Sequence, residues 1–299
     1  MTFYAYGAFL SLAAAVGCAV FAALGRRAAA LWPWLALVVP VSLVVSRATY
    51  CAADLSFYLF DISNPAAMAR VWEGGLSLLG ALAGAALWTA ACAKFAQKRP
   101  AAALDALSPA LCAFIAIARF AEITMDKGYG PAFDGAAAGL FLRALPHGAR
   151  LSTALIEGLA ALLIGAALLP LRKKVVKRPG DAFLLFMLLF CATQLIMESL
   201  RRDGHMMWGF VHAEQAFCMA LCAVPFAVVA ARNGKLAFGL LCPLLLAGAI
   251  TGIEFALDRT AVSPAVLYGA FAALLVEFMA QGLRWMLRAN QPIKEGMPA

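Results

Sequence analysis

The residues best able to do chemistry in this chain are charged and hydroxylated side chains near the ends of long apolar segments. The chain has 299 residues, of which 64% are hydrophobic and 13% are charged. An ionisable side chain in or beside a membrane span is costly, so it marks a functional site unless it is paired or reaches the interface. Arginines there can hold a phosphate group, and carboxylates can accept a proton or orient an arginine. The residues of this kind at one predicted end of the spans are Tyr6, Arg47, Glu73, Arg119, Glu122, Glu157, Glu198 and Arg201.

The string WEGGLS and the glycine-rich segment after it form the densest local signal. We predict that this string opens a helix, with Glu73 at the helix N-terminus, where a negative charge is favourable. The pair Gly74 and Gly75 would let a lipid or a backbone approach closely, and Gly80 with Gly84 would form a small packing face. Helix packing alone is the alternative explanation for these glycines. Likewise, ion pairs that only hold helices together are the alternative for any single charged residue above.

These side chains need membrane-spanning elements to position them. Apolar windows of about twenty residues are long enough to cross a bilayer, and only helices satisfy their backbone groups in lipid. We therefore predict an all-α polytopic membrane bundle of about nine transmembrane helices. The predicted spans are residues 3–24, 30–46, 74–93, 104–121, 151–171, 181–200, 211–231, 236–256 and 262–285.

The charges of the connecting loops predict how the chain crosses the membrane. Lysines and arginines concentrate in alternate loops, which the positive-inside rule makes cytoplasmic. The other loops are richer in acidic residues, so we predict an N-terminus outside the cell and a C-terminus in the cytoplasm. Two long external segments, 47–73 and 122–150, could lie on the membrane or cap a cavity. The cytoplasmic basic residues are Arg26, Arg27, Lys94, Arg99, Arg172, Lys173, Lys174, Lys177, Arg178, Arg232, Lys235, Arg284, Arg288 and Lys294, and the external acids are Asp54, Asp61, Glu73, Asp126, Asp134, Asp203 and Asp258.

Composition also weighs against several other classes of protein. The formal net charge of +8 is spread between spans, with no basic face of the kind that binds nucleic acid. The eight cysteines occur singly, without metal-ligand spacing, so we predict packing roles and expect neither a metal nor a cofactor. The first apolar segment lacks a basic start and is predicted to be a retained helix. Acids at span ends, rather than at mid-span, weigh against a transporter.

Several short motifs, in order, resemble the prolipoprotein diacylglyceryl transferase family. Their order and spacing agree with the family over roughly residues 3–231. Because the family usually has seven spans, we predict a family-like domain over 1–235, followed over 236–299 by two additional helices and a tail. The motifs are Tyr6-Gly7, Ser46-Arg47 with Tyr50, the WEGGLS string, Leu104-Asp105 with Pro109, Arg119 with Gly130, Leu155-Ile156-Glu157, Glu198-Ser199-Leu200-Arg201, and Gly209 to Gln215.

The resemblance implies transfer of a diacylglyceryl group from phosphatidylglycerol to the thiol of a lipobox cysteine on a preprolipoprotein. This reaction would release glycerol phosphate at the outer leaflet of the bacterial cytoplasmic membrane. The implied catalytic residues are Tyr6, Arg119, Glu122 and Glu198. The implied headgroup-binding residues are Arg119, Arg201, Gly74, Gly75 and Gly130. Structural or supporting roles are expected for Arg47, Glu73, Glu157 and Gln194.

The chain departs from the family pattern at functional positions. The family's histidine in the third helix is Leu79 here, its arginine four residues before the glutamate is Gln194, and its asparagine is Glu122. Asp126-Lys127 also replaces the family's Gly-Glu. These changes leave open a second interpretation, in which an altered family member binds lipid or a membrane partner without catalysis.

A histidine elsewhere could supply the base that is missing at Leu79. His205 and His212 both follow Arg201 closely in the sequence, and an imidazole titrates near neutral pH. We hypothesise that one of them acts as the base. A solvated loop histidine is the alternative, and it is the default interpretation of His147.

The predicted topology can be tested by cysteine labelling in a background that lacks the native cysteines. Single cysteines within 47–73 and 122–150 should react in intact cells with a maleimide that cannot cross the bilayer. Cysteines placed within 172–178 should react only after permeabilisation, because the positive-inside rule places that loop in the cytoplasm. Labelling of 172–178 in intact cells would overturn the topology.

Overall fold

The computed structural model describes residues 2–25, 27–61, 64–125, 127–133, 139–145, 148–174, 178–202, 207–209 and 211–289. Within these ranges there are nine helices long and apolar enough to cross a membrane. The predicted all-α membrane bundle is therefore confirmed. The helices are α1 (Thr2–Gly25), α2 (Leu31–Ala53), α3 (Leu78–Phe95), α4 (Pro100–Glu122), α5 (Thr153–Lys174), α6 (Asp181–Leu200), α7 (Ala213–Arg232), α8 (Leu236–Arg259) and α9 (Pro264–Ala289). Of the loop residues named above, Arg26, Asp126, Asp134, His147, Lys177, Asp203, His205 and Lys294 lie outside the described ranges.

The helices pack as neighbours in a way that places the ends of α4, α5, α6 and α7 together. Helix α1 lies along α4 and α2 lies along α3, whereas α1 and α2 make little contact with each other. Helix α4 also packs on α5 and α6, and α6 packs on α7. At the other end, the Asp105 carboxylate accepts hydrogen bonds from the backbone amides of Gly180 and Phe183, which fixes the start of α6 on α4.

The start of the third helix differs from the prediction. Helix α3 begins at Leu78, and the Ser77 side chain caps it by accepting a hydrogen bond from the Gly80 amide. The predicted start at 74 is wrong because Gly74 and Gly75 have φ values of +86° and +67°, which no right-handed helix accommodates. Glu73 instead ends a short 3₁₀ turn (Val71–Glu73), so its backbone is not at the N-terminus of α3. Helix α2 in turn continues beyond residue 46, to Ala53.

The two long segments predicted to be external contain short structure that hydropathy did not reveal. One holds a π-helical turn (Phe57–Asp61) and a 3₁₀ turn (Pro65–Ala69). The other holds strands β1 (Tyr129–Ala132), β2 (Leu142–Leu145) and β3 (Gly148–Ser152), which form an antiparallel sheet in the order β1-β3-β2. A two-stranded hairpin, β4 (Met207–Trp208) with β5 (Val211–His212), lies just before α7. Strands are tolerated here because they lie between spans rather than across lipid.

Glycines allow α2 and α3 to pack closely, as the small-residue pattern predicts. A Cβ atom added to Gly84 would lie 2.7 Å from the Cα atom of Ser42, and one on Gly80 would lie 2.8 Å from the Cα atom of Ser46. Both distances are too short for a real contact, so any larger residue would push the two helices apart. This contact sets the position of the loop between them.

The two C-terminal helices are attached to α6 and α7 by polar contacts. The Gln215 amide nitrogen donates to the Glu254 carboxylate of α8 at 2.6 Å and to the Leu195 carbonyl of α6 at 3.1 Å. The Tyr268 hydroxyl of α9 donates to the Ser199 carbonyl at 3.0 Å. Whether residues 236–299 form a separate unit, as the sequence predicts, stays a prediction.

The α2–α3 contact can be tested by a matched pair of glycine substitutions. Gly84→Ala should lower the free energy of unfolding by about 1–3 kcal/mol, because the added methyl group overpacks a backbone contact. Gly252→Ala in α8 is the control, since nothing lies within 4 Å of a Cβ atom there. Thermal unfolding of the detergent-solubilised variants measures both effects. Equal stability of the two variants would contradict the close packing.

Candidate active site

Two arginines and two glutamates form a closed ring of ion pairs where α4, α5 and α6 meet. Arg119 lies in the last turn of α4, and Arg201 follows the end of α6. The Glu122 carboxylate bridges them, with its two oxygens 2.5 Å from Arg119 Nη1 and 2.9 Å from Arg201 Nη2. The Glu157 carboxylate bridges them a second time, 2.6 Å from Arg119 Nε and 3.2 Å from Arg201 Nη1. The Arg119 Nε–H does not point at this oxygen, so that contact is an ion pair rather than a hydrogen bond.

Helix α6 adds two polar side chains behind this ring. The Gln194 oxygen accepts a hydrogen bond from Arg119 Nη2 at 3.2 Å, and the Gln194 amide donates to Glu157 at 3.3 Å. The Glu198 Oε1 atom lies 4.0 Å from Arg119 Nη2. The structure therefore brings together Arg119, Glu198 and Arg201, as the sequence predicts, together with Gln194 and Glu157. Their chemical roles stay predictions.

Three of the four residues of the ring are removed from water, and this sets the energetics of the ring. Arg119, Glu157 and Arg201 have 3%, 1% and 2% of their surface exposed. Burial of charges is unfavourable unless they are paired, and removal of one partner costs about 3–5 kcal/mol because the other charge is left uncompensated. Each arginine in the ring faces two carboxylates, so its guanidinium is held in one orientation.

Two cavities meet beside the ring. The first, here called the apolar cavity, has a volume of about 520 Å³ and lies between the α1–α4 pair and the α2–α3 pair. The second, called the polar cavity, has a volume of about 370 Å³ and reaches the first turn of α7. The residues that line both cavities, called the junction below, are Tyr6, Leu76, Ser77, Glu122 and Glu214.

The ring and the cavities share residues in an ordered way. Arg119 lines the apolar cavity, Arg201 lines the polar cavity, and Glu122 between them lines both. Tyr6 of α1 also lines both cavities. A molecule that spans the junction would therefore contact a guanidinium on each side, with a tyrosine hydroxyl nearby.

The predicted supporting residue Arg47 holds the backbone of the loop before α3. Its guanidinium donates hydrogen bonds to the carbonyl oxygens of Ala67, Met68, Gly74 and Gly75, at distances from 2.5 to 3.0 Å. This arrangement agrees with a structural role. The side chain of Glu73 lies outside the described part of the chain.

The predicted headgroup-binding glycines lie in different places. Gly75 lines the polar cavity, where a Cβ atom would lie 2.5 Å from Arg47 Nη1. Gly74 and Gly130 line neither cavity. Gly130 packs instead against the Leu200 carbonyl, 3.0 Å from the position of a Cβ atom. Its position therefore supports packing rather than contact with a headgroup.

Sequence reasoning missed two residues at the site. Gly128 has a φ value of +66°, and a Cβ atom there would lie 2.4 Å from the Ala154 Cβ atom and 3.0 Å from Glu122 Oε2, so only glycine fits over the ring. Glu214 lies at the junction and accepts a hydrogen bond from the Ser77 hydroxyl at 3.0 Å. The available signal for Glu214 was an acid in the first turn of a helix, where a negative charge is favoured.

The histidine hypothesis receives no support from the described residues. His212 is buried, is the residue just before α7, and lines neither cavity. His205 lies outside the described ranges. Leu79, which stands where the family has histidine, is buried in the core of the bundle.

Comparison with known proteins agrees with the family resemblance of the motifs. The model of the family described as prolipoprotein diacylglyceryl transferase matches residues 1–231. Among curated proteins, the phosphatidylglycerol–prolipoprotein diacylglyceryl transferase of Listeria monocytogenes is 24% identical over 210 residues, which cover 66% of this chain and 73% of that protein. The protein of the same name from Geobacillus kaustophilus is 26% identical over 216 residues, covering 66% and 74%.

The matched region ends within α7, so α8 and α9 lie beyond it. More than half of the chain matches the family model, and the resemblance predicted from the motifs is confirmed. The chain belongs to the prolipoprotein diacylglyceryl transferase family.

Proposed function

We propose that this multi-pass membrane protein transfers the diacylglyceryl group of phosphatidylglycerol to the cysteine thiol of a prolipoprotein, at the outer leaflet of the bacterial cytoplasmic membrane. The names of its relatives describe this activity. The observation that carries the proposal for this chain is the position of the arginine–glutamate ring. It lies where an apolar cavity and a polar cavity meet.

Each part of the reaction has a matching part of the site. A cavity of about 520 Å³ lined mainly by apolar side chains suits acyl chains, and it lies within the usual size range of ligand pockets. The polar cavity suits the headgroup glycerol and the incoming peptide. The phosphate between them would then lie at the junction, within reach of Arg119 and Arg201.

The chemistry follows from these positions. The thiol loses its proton, and the sulfur attacks the glyceryl carbon that carries the phosphate ester. A carbon–sulfur bond forms while the carbon–oxygen bond breaks, and both electrons of the broken bond leave with glycerol phosphate. Negative charge grows on the phosphate oxygens, and guanidinium groups that are already oriented stabilise that charge strongly in a site with little water.

Glu122 and Glu157 are the orienting residues in this proposal. One oxygen of the Glu122 carboxylate pairs with Arg119, and the other pairs with Arg201. Glu157 pairs with the Nε atom of Arg119, and Gln194 accepts a hydrogen bond from its Nη2 atom. The arginines are therefore preorganised before a phospholipid enters, which lowers the cost of binding the transition state. Tyr6 at the junction would donate a hydrogen bond to the phosphate or to the leaving oxygen.

A second candidate function is lipid binding without transfer. It is favoured by the Glu122 carboxylate, which takes the place between the two arginines that an oxyanion could occupy. It is also favoured by Leu79 in place of the family's histidine. In this alternative the protein would hold a lipid or a membrane partner but form no product.

Complementation separates the two candidates. Expression of the chain in cells depleted of their own transferase should restore the attachment of labelled glycerolipid to a reporter lipoprotein, because the ring and both cavities are present. Immunoblots of the membrane fraction control for expression. If a well-expressed protein yields no lipidated reporter, the transferase proposal fails and the binding function is favoured.

The arginines can be tested individually. Arg119→Lys and Arg201→Lys should each lower the transfer rate at least about 100-fold, since the lysine ammonium lacks the planar guanidinium fork that pairs with an oxyanion through two parallel N–H groups. Arg259→Lys, at an exposed ion pair with Asp258, is the matched control and should keep full activity. Thermal unfolding confirms that the variants are folded. Full activity of either ring variant would exclude its proposed role.

A further inference from the structure

We infer that Glu214 is the carboxylate that accepts the proton of the attacking thiol. The inference rests on the proposed transferase function and deepens it by assigning the base. It replaces the histidine hypothesis, because the family's histidine position holds Leu79 and the buried His212 lines neither cavity.

The first argument is the position of Glu214. It lies in the first turn of α7 and lines both cavities, so it is at the point where a thiol from the polar cavity would meet a glyceryl carbon at the mouth of the apolar cavity. Its neighbours Ala213 and Gln215 are 2% and 0% exposed. The hydrogen bonds of Gln215 to α6 and α8 fix the backbone that carries Glu214.

The second argument is the way its carboxylate is held. The Ser77 hydroxyl oxygen caps α3 by accepting a hydrogen bond from the Gly80 amide at 3.2 Å. The proton of this hydroxyl is therefore directed away from α3. That proton is donated to Glu214 Oε1 at 3.0 Å. Ser77 is only 4% exposed, which keeps this geometry fixed. Because Ser77 is two residues before Leu79, the contact anchors Glu214 to the same helix start that carries the family's histidine position.

The third argument is a comparison with the other carboxylates. Within the described ranges, only Glu122 and Glu214 line the cavities with a carboxylate. Both oxygens of Glu122 accept hydrogen bonds from guanidinium groups, and two adjacent positive charges favour the ionised carboxylate, which makes Glu122 a poor proton acceptor. Glu157 and Glu198 are 1% and 0% exposed and line neither cavity. These two serve the arginines.

The proton and charge balance of the step is simple. The Glu214 carboxylate takes the thiol proton as the sulfur attacks, which makes the acid neutral. The electrons of the broken carbon–oxygen bond leave with glycerol phosphate, whose added negative charge faces Arg119 and Arg201. The proton on Glu214 then passes to water as the products leave, and the carboxylate is restored for the next cycle.

Two variants separate a base from a structural contact. Glu214→Gln keeps an oxygen that can accept the Ser77 hydrogen bond but cannot take a proton, and it should lower the transfer rate at neutral pH by at least about 100-fold. The KM for phosphatidylglycerol should stay unchanged. Ser77→Ala removes the hydrogen-bond donor but keeps the carboxylate, so its loss should stay below about 10-fold. The reverse order of these two losses would overturn the inference.

A further measurement uses the thiol of the substrate peptide. A cysteine thiol with a pKa of about 8.5 is about 3% ionised at pH 7 and about 90% ionised at pH 9.5, so alkaline pH supplies the thiolate without a base. The rate of Glu214→Gln should therefore rise about 30-fold over this interval. The rate of the unmodified protein should rise much less. A purely structural role would leave the ratio of the two rates constant.

The outcomes also separate this inference from the proposed function. If the unmodified protein transfers nothing from phosphatidylglycerol vesicles to a lipobox peptide, the proposed function itself fails. If it is active and Glu214→Gln is within twofold of it, only the assignment of the base is overturned. Should Glu214→Gln fail to accumulate, Glu214→Asp and Glu214→Asn replace it. The first should keep measurable activity, and the second should lose at least about 100-fold.

Discussion

The structure depends on the pairing of buried charges where α4, α5 and α6 meet. Arg119, Glu157 and Arg201 can be removed from water only if they pair with one another and with the partly exposed Glu122, since each unpaired buried charge would cost several kcal/mol. The ends of α4, α5 and α6 must therefore meet at one point. The close α2–α3 contact and the loop held by Arg47 then complete the walls of the cavities around that point.

The departures from the family pattern are related in space. By the motif resemblance, Glu122 stands where the family has an asparagine and Gln194 where it has an arginine, and both side chains contact Arg119. The negative charge gained at Glu122 is thus accompanied by the loss of a positive charge at Gln194. The Arg119 guanidinium donates hydrogen bonds to both side chains. A second relation of this kind involves Leu79 and Glu214. Leu79 in α3 stands where the family has a histidine, and the Glu214 carboxylate is hydrogen-bonded to Ser77, which caps the N-terminus of the same helix. These changes alter the residues of the site, but the arginines remain paired with carboxylates.

Much of the bundle could be predicted because long apolar segments must cross the membrane, and only a helix satisfies their backbone hydrogen bonds in lipid. Each of the nine membrane-length helices in the described part of the chain overlaps a predicted span, and the meeting of Arg119 with Arg201 followed from charges at span ends together with the motif order. The start of α3 was missed because two glycines with left-handed backbone break a pattern that is continuous in sequence. The small sheet was missed because short strands between spans leave no hydropathy signal. Glu214 was missed because it lies at an unspecified position within the Gly209-to-Gln215 motif and only the fold brings it to Ser77.

The attachment of α8 and α9 has a consequence for any truncation of this chain. Gln215 and the Ser199 carbonyl satisfy hydrogen bonds with Glu254 and Tyr268, which belong to helices beyond the region shared with the family. In hydrocarbon no water can replace a lost partner. Deletion of α8 and α9 would remove one partner from each group, since the Gln215 amide would keep the Leu195 carbonyl and the Ser199 carbonyl would keep the Arg202 guanidinium. The two helices are therefore part of the hydrogen-bonded interior of the bundle rather than a loosely attached extension.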